Sequence, residues 1–236
     1  MLVHTQGIVL STLRYRETSL IVRTYTQSAG LQSFLVNGVR KAKPSFHIAF
    51  FQPLSLLELV VYQKPGNNSL HRLKEVHTAI PYKHIGTDQV KTCAAFFLAE
   101  LLEKAIREEE GNTDMFDLLW NSCQVLDLQG EDNFVFLHQF MIRLASALGF
   151  GVENIAGFYT EICKVGLNPV RDWEYQIQPE EVVLLETLID LPIGTSCTSS
   201  LKTRRSLLNH LIFWYRIHLQ NFTEIKTLSV LQEIMS

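Results

Sequence analysis

The sequence predicts an α+β protein, with a small five-stranded β-barrel in front and an all-helical half behind it. Two observations predict this. Apolar residues recur with a period of two as far as Ile80 and with a period near 3.6 from Thr87 onward, and Pro81 stands at the change. The charge divides at the same place. Through Gly86 ten basic side chains face only Glu17, Glu58 and Glu75, a net of +7. The other 150 residues carry eleven basic and twenty-one acidic groups, a net of −10, which together recover the overall −3. An asymmetry of this kind points to a polyanionic partner for the cationic end.

The strands follow in order. Gly7–Thr12 is the first. In Thr18–Thr26, Leu20 and Val22 lie on one face, with Arg23 and Tyr25 on the other. A short Gln27-Ser28-Ala29 turn leads to Gly30–Val36 and closes a hairpin. Leu54–Tyr62 and Leu70–Ile80 complete the set around the turn Lys64-Pro65-Gly66-Asn67-Asn68. Pro44 is suited to open a short helix over Pro44–Phe51. Five strands with a helix after the third is the order of a Greek-key barrel of the oligonucleotide-binding type, the OB-fold.

Behind Pro81, Thr87-Asp88 caps a long helix. Its apolar stripe is Val90, Ala94, Phe97, Leu98, Leu101, Leu102, Ala105 and Ile106, and Gly111 is its expected C-cap. Further helices are expected over Met115–Leu126, Phe134–Leu148, Glu180–Ile189 and Thr198–Leu219, with a last turn or two at Val230–Met235. Residues 152–179 are poorly periodic, hold Gly157, Gly166 and Pro169, and read as an irregular insertion. The expected division is an OB-fold domain over residues 1–81 and a helical domain over residues 82–236.

Several function classes find no support. No stretch of about 18 apolar residues lacks charge, so no membrane span is expected. Met1–Gln6 has no basic signal-peptide region, which predicts a cytoplasmic protein. Cys93, Cys123, Cys163 and Cys197 form no Cys-x-x-Cys pair. Cys93 and Cys123 read as small core residues. Ser199-Ser200-Leu201-Lys202 matches a Ser-x-x-Lys motif without its companions, and no phosphate-binding glycine loop occurs. His71, His77 and His84 are spaced too irregularly to hold a metal. No catalytic residue, metal site or cofactor is expected.

The sharpest cluster is Arg40, Lys41 and Lys43, directly after the third strand, where cations sit on a loop at the barrel rim. Arg14 and Arg16 flank Tyr15 in the first inter-strand turn. Rim loops and one sheet face are where such barrels bind oligonucleotides, with cations on phosphates and aromatic rings under bases. The candidate DNA-binding residues are therefore Arg14, Tyr15, Arg16, Arg40, Lys41 and Lys43, with Arg23 and Lys74 as weaker contacts. Tyr25 is a second candidate stacking platform. Lys202, Arg204 and Arg205 open the fifth helix against the preference of the helix dipole for anions there, which marks a second surface for an anionic group.

Three runs resemble the amino-terminal signature of the bacterial recombination mediator RecO. They are Gly7-Ile8-Val9-Leu10, Tyr15-Arg16-Glu17-Thr18-Ser19-Leu20-Ile21-Val22, and Val36-Asn37-Gly38-Val39-Arg40-Lys41, with Thr26 and Gly30 between the last two. The resemblance implies an OB-fold barrel and a helical domain that bind single- and double-stranded DNA and anneal complementary strands. It also implies cooperation with RecR and the single-strand-binding protein SSB, so that RecA replaces SSB on gapped DNA. Many RecO proteins carry a four-cysteine zinc ribbon in the helical half. The matching stretch here, about Gly157 to Cys197, keeps only Cys163 and Cys197. A degenerate, metal-free remnant is therefore expected, packed through Phe158, Tyr159, Trp173 and Tyr175. The acidic, apolar C-terminal tail of SSB needs an apolar groove rimmed by cations, and Arg204, Arg205 and Leu208 are the candidates. The competing reading is an adaptor whose barrel binds protein or RNA and never anneals DNA.

Overall fold

The computed structural model describes residues 1–39, 46–62, 70–107, 110–130, 135–165 and 177–234. Five strands form a closed barrel in the order β1-β2-β3-β5-β4. They are β1 (Leu2–Tyr15), β2 (Ser19–Thr26), β3 (Gly30–Val36), β4 (Leu56–Tyr62) and β5 (His71–Ile80). β1 is longer than the expected Gly7–Thr12 because it serves two neighbours. Its first half pairs with β4, its second half pairs with β2, and a register shift between Val9 and Ser11 lets it turn the barrel corner. The alternation read from β2 holds: Leu20 and Val22 join Val9, Phe34, Val36, Leu57, Leu59 and Val61 inside the barrel. Gly7 faces the same interior, where an added Cβ would lie 2.7 Å from Thr24 Cγ2 and 2.9 Å from Leu59 Cδ1. A single 3-10 turn, Ile48–Phe51, sits between β3 and β4 and buries Phe51 in the barrel core. It starts four residues beyond Pro44, which lies outside the described residues.

Helices follow as α1 (Gln89–Ala105), α2 (Thr113–Leu128), α3 (Phe136–Ala147), α4 (Ile155–Val165), α5 (Pro179–Asp190), α6 (Leu201–His218) and α7 (Thr227–Ile234). Asp88 caps α1 by accepting from the Lys91 N–H at 2.9 Å. The helix stops at Ala105 with Ile106 as its cap, short of Gly111. Gly111 serves a close approach instead, since a Cβ there would stand 2.8 Å from the Ser28 carbonyl oxygen.

The stretch 152–179, expected to be irregular, contains α4. Asn154 accepts the Gly157 N–H, so this glycine sits in the capped first turn and does not break the helix. Phe158, Tyr159 and Ile162 then bury one face. Trp173 and Tyr175 lie outside the described residues. Cys163 is exposed on α4 and Cys197 is half-buried ahead of α6. The Ser-x-x-Lys match proves to be a helix cap, in which Ser200 Oγ accepts the Thr203 N–H at 3.1 Å.

The chain divides into two compact units, Met1–Asp127 and Leu128–Ser236. The first extends past the expected 81/82 boundary because α1 and α2 are tied to the barrel. Tyr25 stacks on Phe116 with ring centroids 6.5 Å apart, and Glu103 of α1 accepts from Ser11 and Arg23. The buried Asp127 accepts the backbone N–H groups of Lys83, His84 and Ile85, each at 2.8 Å. Burial pushes its carboxyl pKa up, but the three donors together outweigh that and hold it below the usual range. The Lys91 ammonium, itself buried, donates to the Asp127 carbonyl at 2.7 Å. Cys123, fully within this unit, has its thiol pushed up to about 12 by burial and stays protonated. Cys93 is half-buried.

Candidate nucleic-acid interface

The β1–β2 hairpin carries Arg14, Tyr15 and Arg16 beyond the closed part of the barrel. Arg14 pairs across the hairpin with Leu20 and Tyr15 with Ser19, and the turn itself needs Arg16 in the left-handed region at φ 51°. That turn places the Arg16 guanidinium carbon 5.2 Å from the centroid of the Tyr15 ring, within cation–π range. Arg14 and Arg16 are exposed and Tyr15 is half-buried. The ring therefore supports a cation and keeps only part of its surface for another partner.

The same barrel end receives the exit of β3. Leu20, opposite Arg14, also pairs with Val36, and Ser19 Oγ donates to Asn37 Oδ1 at 3.0 Å. Val39, 5 % exposed, returns into the barrel core, and Phe46 packs against that core. Arg40, Lys41 and Lys43 lie outside the described residues.

Two weaker candidates already have carboxylate partners. Arg23 Nη1 stands 3.1 Å from Glu103 Oε1, an oxygen that also accepts from Ser11 Oγ at 2.6 Å. Lys74 Nζ stands 3.0 Å from Glu75 Oε1, and this hydrogen bond raises the Lys74 pKa and lowers that of Glu75. A phosphate reaching either cation competes with an acid in place, so each adds less to the local potential than Arg14. Tyr25 is not a stacking platform: it is 0 % exposed, with Phe116 of α2 on its ring. Arg72, by contrast, is an exposed cation outside that candidate set, on β5 opposite Leu35 of β3 and Tyr62 of β4. The strand alternation of β5 was the available signal for it.

In the second unit, Arg204 donates to the Ser199 carbonyl and Arg205 to the Gln232 carbonyl of α7. Leu208 is 4 % exposed. With Leu137, His138, Leu201 and Leu231 these residues line a shallow, open depression of about 20 Å³. His138 Nε2 stands 2.8 Å from the Arg204 carbonyl. Burial pulls its pKa down to about 4, so the ring is neutral at pH 7, and Nε2–H donates to that carbonyl. A folded pKa below the unfolded 6.5 contributes stability in full above about pH 6.5 and loses it as the pH falls toward 4. The loss is roughly 3 kcal/mol over that window. Acid unfolding of a His138→Gln variant is expected to show a flatter dependence between pH 6.5 and 4, measured by circular dichroism against urea.

Among the described residues no helix is long and apolar enough to cross a membrane, and no three His, Cys, Asp or Glu side chains gather to hold a metal. Comparison with known proteins agrees with the barrel and helical parts. The family described as Recombination protein O N terminal matches residues 1–82, and Recombination protein O C terminal matches residues 86–227. The DNA repair protein RecO of Flavobacterium johnsoniae is 35% identical over 241 residues, covering 100% of both chains. Those of Bacteroides fragilis and Christiangramia forsetii are 36% and 34% identical over 242 residues, each covering 99% of both chains. A closed five-stranded barrel followed by helices, matched over nearly its whole length to these proteins, places this chain in the RecO family of DNA repair proteins.

Proposed function

We propose that the protein is a non-catalytic mediator of recombinational repair in the cytoplasm. It binds single- and double-stranded DNA and anneals complementary strands. It acts with RecR and SSB to load RecA. One observation supports this above the others: the β1–β2 turn and the β3 exit meet at one barrel rim, so Arg14 and Arg16 stand beside the chain that continues into Arg40, Lys41 and Lys43. Annealing needs no covalent step. Cations on two backbones lower the repulsion between strands and leave base edges free to pair. The barrel domain, residues 1–81, does this work, and the anionic helical domain, residues 82–236, recruits protein partners.

The test is pairing of two complementary, dye-labelled oligonucleotides coated with SSB, followed by energy transfer. The expected result is faster pairing with the protein than without it. DNA binding with no acceleration would instead make the protein an adaptor.

We place the tail of SSB at the first two turns of α6, on Arg204, Arg205 and Leu208. An acidic group reaching Arg205 there displaces the Gln232 carbonyl of α7. The Arg204→Ala/Arg205→Ala variant is expected to bind a labelled tail peptide roughly ten-fold more weakly, the size of one or two charge-assisted contacts at a half-exposed site. Equal affinity rejects the site.

A further inference from the structure

The turn from α3 to α4 folds back on the last turn of α6. Gly149 holds the left-handed region at φ 87°, and the Trp214 indole N–H donates to the Phe150 carbonyl at 2.9 Å. Phe150 stacks on His218 with ring centroids 5.2 Å apart, and the Trp214 ring meets His218 edge-on at 4.2 Å. The start of α4 forms the other wall, with Phe158 and Glu161. Between them lies an open cleft of about 310 Å³, lined entirely by residues of the second unit. Its charged side chains are acids. Glu153 is exposed, and among the described residues no cation pairs with it. Glu161, whose carboxylate is 42% exposed, stands 3.7 Å from His218 Nε2, beyond hydrogen-bond length, so its oxygens stay open to a better donor. Glu153 suits the start of α4, where the helix dipole favours acids. Glu161 has no such reason, since it stands in the second half of that helix, where the dipole favours cations. The last turn of α6 also ends at the cleft, and its carbonyl end adds negative potential there.

We infer that this cleft seats the guanidinium of an arginine carried by a partner polypeptide, with Glu161 as its main carboxylate and the rings of Phe150 and Trp214 as its wall. Charge complementarity selects the occupant. Two carboxylates and a helix C-terminus repel phosphates and acidic peptides, which excludes nucleic acid and an acidic tail. Aromatic rings beside a carboxylate favour arginine over lysine, because the guanidinium is planar, weakly hydrated and able to stack while it donates. The volume is at the lower end for a ligand pocket, so it takes one long side chain and leaves the partner's backbone outside. This surface is distinct from Arg204 and Arg205, which lie thirteen or fourteen residues earlier on α6, about 20 Å along its axis. The inference goes beyond the mediator reading and stands without it.

The test uses the full-length protein in a Trp120→Phe/Trp173→Phe background, so that Trp214 alone reports. It is titrated with a blocked glycyl-arginyl-glycine peptide and with the citrulline counterpart, which keeps the shape and loses the charge. The arginine peptide is expected to change the emission saturably with a Kd of about 1 mM, and the citrulline peptide to bind at least about ten-fold more weakly. Glu161→Gln, an exchange at a half-exposed side chain that leaves the fold intact by circular dichroism, is expected to lower the affinity for the arginine peptide about ten-fold. Phe150→Leu is expected to lower it about two- to five-fold, the share of one ring. The Arg204→Ala/Arg205→Ala variant is expected to bind the arginine peptide as the parent does. No saturable response to the arginine peptide, an equal response to both peptides, or an unchanged affinity in Glu161→Gln overturns the inference.

Discussion

Replacing Glu181 by Ala is expected to destabilise the second unit by about 3–5 kcal/mol. Glu181 opens α5, is 0 % exposed, and ties three helices together through its carboxylate. The Tyr159 hydroxyl of α4 donates to Oε1 at 2.8 Å, Ser206 of α6 donates to Oε2, and His210 Nδ1 of α6 meets Oε1 at 2.5 Å. Burial, with the Glu181 charge beside it, pushes the Tyr159 hydroxyl well above its ordinary pKa, so it stays a donor. Truncation at residue 181 removes one acceptor and leaves two buried donors and the half-buried Ser206 hydroxyl without it, which is costlier than losing a single hydrogen bond. The alternative explanation, loss of side-chain packing, predicts something different for a combined variant. Changing Tyr159→Phe, Glu181→Met, Ser206→Ala and His210→Leu together removes every polar partner and keeps the volume. It is expected to recover most of the loss, because a buried polar network is worth little against a well-packed apolar one. Urea unfolding, read by tryptophan fluorescence in a Trp120→Phe/Trp173→Phe background that leaves Trp214, packed on Phe158 in the same unit, measures both.

That network was invisible in the sequence for a physical reason. Pro179-Glu180-Glu181 reads as an ordinary solvated first turn, where acids suit the helix dipole. Nothing local distinguishes Glu181 from Glu180, since its partners lie 22, 25 and 29 residues away. The cover over Tyr25 and the partner of Arg23 are hidden in the sequence for the same reason. Strand alternation correctly put both on the outer face of β2, but the groups that cover that face, Phe116 and Glu103, arrive on helices some eighty to ninety residues later. The barrel, by contrast, was legible because its signals are local. Period-two alternation, turn residues and a single change of period at Pro81 gave five strands in the right order. Arg14, Tyr15 and Arg16 were legible as a group because a hairpin turn keeps near neighbours near. α4 is hidden because Gly157 reads locally as a break, when the residue that governs it is the cap at Asn154.

Removing Arg40, Lys41 and Lys43 together by Ala is expected to weaken binding to single-stranded DNA by about two orders of magnitude and to flatten its salt dependence. Five engaged cations at about −0.7 each give a slope of about −3.5 for log affinity against log salt, and two remaining cations, Arg14 and Arg16, give about −1.4. Between 50 and 200 mM salt the native protein then loses about a hundredfold in affinity and the variant about sevenfold. The slope separates two causes that a single affinity confuses. A variant damaged in its fold loses affinity with an unchanged slope in the fraction that still binds, whereas loss of phosphate contacts changes the slope itself. Arg23→Ala and Lys74→Ala supply the internal comparison. Both cations face carboxylates at about 3 Å, so removing either is expected to change the slope by less than one full contact. If the triple variant keeps a slope near −3.5, the phosphates are held elsewhere, and the rim shared by the β1–β2 turn and the β3 exit is not the DNA-binding surface.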